Sequence, residues 1–119
     1  MICHITTRTG WEAAQATGEF RSPEFGQFNF IHCSTQEQVL LVANAYFPGR
    51  SGLVILVIDP ARLKSPVRWE APHWTGRLPG FTQGSVFPHV YGPINVDAVA
   101  RVEDLVPGVA GTFTLPQPA

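Results

Sequence analysis

Three short segments of the sequence place an imidazole two residues before a hydroxyl: His4 and Thr6, His32 and Ser34, His89 and Tyr91. Each segment reads as a strand, and in a strand residues i and i+2 point to the same face. Three strands thus offer the same pair of groups on one side, with Cys3, Ile5, Ile31, Cys33 and Val90 on the other. Three of the four histidines fall in this arrangement. Imidazoles and hydroxyls each donate and accept hydrogen bonds, which suits a ligand rich in hydroxyls and carbonyls, such as a ribose or an amide. An imidazole also titrates near neutral pH and can move protons. The plainer alternative makes each histidine a satisfied, half-buried strand residue. Whether the three strands are neighbours separates the two readings.

Glu70 is the acid best placed to join this set. It closes Arg68-Trp69-Glu70, shares a face with Arg68, and leads into a segment over residues 71–86 rich in Pro and Gly. A carboxylate beside an aromatic at the lip of a loop can hold a ribose hydroxyl or stabilise a cationic intermediate. The alternative is a surface Arg–Glu pair. Trp11 and Trp69 read as packing residues, whereas Trp74 is the one expected to be exposed and to stack on a ligand. Cys33 beside His32 suggests a thiolate–imidazole pair, but alternation sends the two to opposite faces, so Cys33 and Cys3 read as core. Three histidines could also hold zinc with an open coordination position. Their positions fit no metal spacing, and no metal is expected. Ser34 at a strand-to-helix junction is expected to cap the helix and could aim backbone N–H groups at an anion, without any Gly-rich phosphate fingerprint.

These residues must be held by a small fold. The chain has 119 residues, 45% of them hydrophobic and 14% charged, the size and balance of one folded domain. A net charge of -1, with Lys64 as the sole lysine, excludes long nucleic acid held by charge alone. No apolar run approaches the ~20 residues that cross a bilayer, so no membrane partner is expected. Met1-Ile2-Cys3-His4 opens no secretory signal, which implies a cytoplasmic protein. Two cysteines make no disulfide framework. The expected partner is a small-molecule nucleotide or metabolite, and the sequence leaves the oligomeric state open.

Ile2 to Thr6 reads as the first strand. Thr9 and Glu12 have capping-box spacing, predicting a helix over residues 10–17 that Gly18 stops. A loop and a strand at 28–33 follow. Ser34 and Thr35, each with an acid or amide three residues on, open a second helix striped by Val39, Val42, Ala43 and Tyr46 and ending before Pro48. Leu53 to Ile58 is apolar throughout, as in a central strand. Short strands are expected at 67–70 and 87–91, one helical turn from Asn95 or Asp97, and a last strand over 100–105. The reading is α+β, one layer of helix on a curved sheet. The domain spans 1–106, with residues 107–119 a peripheral tail.

The same segments resemble the bacterial family known as domain of unknown function 952. The likeness is carried by His4-Ile-Thr with Trp11, by Phe30-Ile-His32-Cys-Ser34 with Gln38-Val39, by Trp69-Glu70, and by Phe87-Pro-His89-Val-Tyr91-Gly-Pro93. It runs from residue 2 to about 105, with Asn29 where the family usually has Gly. That family is similar in turn to the ADP-ribosyltransferase superfamily, which implies a strongly bent, split, mixed or antiparallel sheet with two helices in the N-terminal half. The resemblance further implies NAD as a possible substrate in a transferase reaction. His4 and Thr6 would hold the adenosine ribose and Glu70 would activate the nicotinamide ribose. His32 and His89 would be catalytic beside Glu70, and Ser34, Tyr91 and Trp74 would bind substrate. Two other functions fit the same residues: a non-catalytic ligand-binding or interaction domain, and a small-metabolite enzyme with a histidine general base.

Overall fold

The computed structural model describes residues 1–22, 29–71 and 85–114. Trp74 and most of the 71–86 segment lie outside them. The chain begins with β1 (Ile2–Thr7), α1 (Arg8–Thr17) and β2 (Glu19–Phe20), then β3 (Ile31–His32), β4 (Ser34–Thr35) and α2 (Val39–Tyr46). It continues through β5 (Leu53–Ile58), β6 (Val67–Glu70), β7 (Phe87–Val90), β8 (Ile94–Asn95) and β9 (Val99–Leu105), with single 3-10 turns at Pro60–Arg62, Val96–Ala98 and Val109–Gly111. The strands form a four-stranded sheet β4-β1-β5-β9, a three-stranded sheet β3-β7-β6 and the pair β2-β8. Every pairing is antiparallel. The fold is α+β with open sheets. Among the described residues no helix is long and apolar enough to cross a membrane.

The apolar run of β5 organises the core. Val54, Leu56 and Ile58 face one way and join Ile2, Trp11, Ala14, Phe20, Ile31 and Val90. Leu53, Ile55 and Val57 face the other way and join Cys3, Val39, Ala43, Leu105 and Phe113. Burying six such side chains yields a gross gain of about 10–20 kcal/mol, as large as the net stability of a whole domain, so neither face of β5 can be left wet. The expectation of one helix layer is therefore corrected: α1 covers one side of the large sheet and α2 the other. One layer cannot cover a strand that is apolar on both faces.

Local signals correct two further expectations. Thr7, not Thr9, caps α1: its hydroxyl accepts from Gly10 N at 3.0 Å, so the helix starts two residues early. Gly18 ends it in the left-handed region at φ 89°. Thr35, not Ser34, caps the turn into α2, because Thr35 and Gln38 exchange side-chain-to-backbone bonds at 3.0 and 3.1 Å. Ser34 stays in the strand. Phe113 is 1% exposed, and its N–H and C=O are both held by the Asn44 amide at 2.7 and 3.2 Å. Phe113 is packed on α2 while Val109 stays exposed, since a phenylalanine beside an uncovered apolar face buries itself whatever its place in the chain.

Candidate functional site

The segment from Ile31 to Thr35 belongs to two sheets. Ile31 and His32 pair with Val90 and His89 of β7, Cys33 N donates to Pro88 O at 3.0 Å, and Ser34 then pairs with Cys3 of β1. Ile31 and Cys33 point into the core, so Phe30, His32 and Ser34 take the opposite side. Asn29 lies at φ 62°, a left-handed conformation that Asn tolerates better than any other residue with a side chain.

On β7 and β6 the same alternation sends Val90 and Val67 toward the core and sets His89, Arg68 and Glu70 on the opposite face of the sheet. His89 is the direct partner of both His32 and Arg68, which makes a row of imidazole, imidazole and guanidinium across the small sheet. The His32 and His89 rings meet edge to face at 5.4 Å. Phe30 stacks on His89 at 4.2 Å with only 13° between the planes, and its ring lies 4.9 Å from His32 and 5.2 Å from Tyr91. Arg68 sits over the Tyr91 ring at 4.9 Å, rather than against Glu70.

Glu70 is the focus of the face. A single carboxylate oxygen, Oε1, accepts from Tyr91 OH at 2.6 Å and from His89 Nδ1 at 2.9 Å. These two bonds, with the Tyr91 hydroxyl first, hold the carboxyl below its ordinary range, so it is charged at neutral pH. The same bond pushes the Tyr91 phenol up. His89 must carry its proton on Nδ1 to serve a carboxylate. Glu70 is 37% exposed while His89 is 2% exposed: the carboxylate reaches solvent and the imidazole behind it orients it.

His4 reaches the group indirectly. Its Nδ1 donates to the His32 carbonyl at 2.6 Å, and its ring lies 5.2 Å from Phe20. The structure therefore brings His32, His89, Tyr91 and Glu70 together on one face and ties His4 to its edge. His4 is only 7% exposed, and His89 2%. Both are buried, because β1 is an interior strand and β7 is the middle of its sheet. Ser34 shares with His4 and His32 a cavity of about 60 Å³. Thr6 instead lines a groove of about 440 Å³ with Gly10, Thr17, Phe20 and Arg21.

Phe30 and Arg68 are the site contacts that a search for titratable pairs passes over. Phe30 shares the parity of His32 and Ser34, so alternation alone would have placed it. Among the described residues no three His, Cys, Asp or Glu side chains could hold a metal ion. Burial pushes the Cys3 thiol up to about 11 and the Cys33 thiol higher still, so neither is a thiolate at neutral pH. Asn95 anchors the approach to β6, with its amide accepting from Lys64 N and donating to Arg62 O, both at 3.0 Å.

The structure is similar to the crystal structure of protein CC0527 from Caulobacter crescentus, with a TM-score of 0.80 and 33% identity over 95% of this chain and 92% of that one. A double mutant of the same protein matches with a TM-score of 0.80 at 32% identity and the same coverage. Its solution structure matches with a TM-score of 0.69 at 34% identity, covering 92% and 88%. None of the curated proteins matches the sequence. A family model described as "Protein of unknown function (DUF952)" matches residues 5–102, and the chain belongs to that family.

Proposed function

We propose that the chain recognises NAD or a closely related nucleotide and transfers its ADP-ribosyl group, with Glu70 as the catalytic carboxylate. In that reaction the bond from ribose C1′ to nicotinamide breaks with its electron pair leaving on nicotinamide, and an acceptor nucleophile bonds to C1′ and releases its proton. The observation that carries the reading is the Glu70 carboxylate, ionised, partly exposed and fixed through one oxygen by Tyr91 and His89. Its Oε2 has no hydrogen-bond partner among the described residues and can accept from a ribose hydroxyl. A fixed negative charge there stabilises the positive charge that develops on the sugar. His89, shielded from solvent, serves as a positioning residue. His32, half-buried on the same face, is the imidazole within reach of substrate.

Thr6 retains the adenosine end in this reading, and His4, which does not line that groove, holds the His32 carbonyl behind it. The groove that Thr6 lines, about 440 Å³, is within the range of small-molecule pockets, whereas the 60 Å³ cavity is far below it. Burial of His4 and His89 weighs against a histidine general base at either position.

Incubation with NAD, with free nicotinamide measured by chromatography, tests the proposal. Glu70→Gln should lower nicotinamide release by about 10²–10³-fold while changing affinity little in calorimetry. Binding without any release would make the domain a non-catalytic binder. No binding of NAD, ADP-ribose or AMP at about 10 mM, weaker than any useful affinity, would overturn the reading.

A further inference from the structure

We propose that the chain forms a two-fold dimer by antiparallel pairing of β9 with β9 of a second copy, giving one continuous eight-stranded sheet. Among the described residues β9 is the last strand of the large sheet and pairs only with β5. Among the described residues nothing bonds to its outer edge. An unpaired row of N–H and C=O groups is a template for another strand, and the sequence of this edge selects which strand.

Arg101 lies opposite Val57 and Glu103 opposite Ile55 on β5, so the two side chains share the α2 side of the sheet. Within the chain they pair at 2.7 Å. Val102, opposite Leu56, is on the other side and half-buried. A two-fold axis perpendicular to a sheet keeps each face on its own side, so antiparallel self-pairing must centre on a residue. Centred on Val102, the pairing sets Arg101 opposite the partner's Glu103 and Glu103 opposite the partner's Arg101. Each in-chain pair then becomes half of a square of four alternating charges. Underneath, Val102 meets the partner's Val102. Centred one residue on, the same strand would set Glu103 against the partner's Glu103, which repels. Asp104 is already neutralised by Arg8 of its own chain, so it does not compete for register.

The register shift between Val57 and Ile58 bulges β9 near Ala100. Regular pairing is thereby confined to the stretch around Val102. The interface is short, which places the dimer in the micromolar range or weaker, typical of small contacts.

Sedimentation over concentrations up to about 1 mM, covering weak contacts, reads the outcome. The wild type should approach twice the 13.0 kDa chain mass. R101E and E103R each place like charges across the axis and should weaken self-association at least 10-fold. An equimolar mixture of the two variants should associate again, because every cross-strand pair is then opposite in sign while the in-chain pair is still broken in both. Circular dichroism checks that both variants fold, as loss of one exposed ion pair predicts. A wild type that stays monomeric, single variants that associate like the wild type, or a mixture that does not associate would each overturn the proposal.

Discussion

Truncating Phe113 to alanine separates a packed C-terminal segment from a peripheral one. The ring is 1% exposed and belongs to the cluster of Val39, Ala43, Leu53, Ile55, Val57 and Leu105. Removing a buried phenylalanine side chain costs about 3–5 kcal/mol when the surroundings cannot collapse, and a rigid strand such as β5 cannot. The alternative response is for the segment to lift off, which forfeits two hydrogen bonds to Asn44 worth about 1 kcal/mol each and wets the cluster. Both routes cost several kcal/mol, a large part of a stability that for such domains is about 5–15 kcal/mol. Urea unfolding should show the midpoint falling by about 1.5–2.5 M at the slopes usual for small proteins. Val109→Ala, a neighbour 94% exposed, should stay within about 0.5 kcal/mol of the wild type. A Phe113→Ala loss below about 1 kcal/mol, or one no larger than that of Val109→Ala, would refute the argument.

Thr7→Ala should cost about 1 kcal/mol by removing the α1 cap and Thr9→Ala far less, read by thermal unfolding of both. Tyr91→Phe removes the main bond that depresses Glu70, so the Glu70 carboxyl should titrate higher in a carboxyl-carbon NMR experiment. The sign for stability follows from the same depression. The unfolded carboxyl, near about 4.3, binds protons before the folded one, so stability held above that pH is lost as pH falls through the folded value. The wild type should therefore lose ground to Glu70→Gln on acidification, and a stability gap independent of pH would contradict the bond pattern. Gly92→Ala should destabilise strongly, because at φ 149° a Cβ would come within 2.3 Å of Ser65 Oγ. Adding Ser65→Gly should recover only the steric part.

Much of this was legible in the order of residues. Parity alone put His32, His89, Tyr91 and Glu70 outward, and the unbroken run of β5 marked the central strand. What the string did not display was depth. His89 alternates like a surface residue, yet Phe30, distant in the chain, stacks over it, and only folding shows that. Capping was ambiguous for a similar reason: Thr7 and Thr9, or Ser34 and Thr35, carry equivalent chemistry one or two residues apart. The reciprocal bonds between Thr35 and Gln38 decide between the latter two. The burial of Phe113 depends on the apolar side of α2, which no local pattern announces.

The double membership of residues 31–35 carries an evolutionary consequence. Chain added or lost there cannot be absorbed on either side, since the flanking ladders lock both ends of a five-residue bridge. One inserted residue would turn Cys33 toward water and His32 toward the interior, or drag β1 out of step with β5. Relatives of this protein should hold the spacing from Phe30 to Thr35 constant.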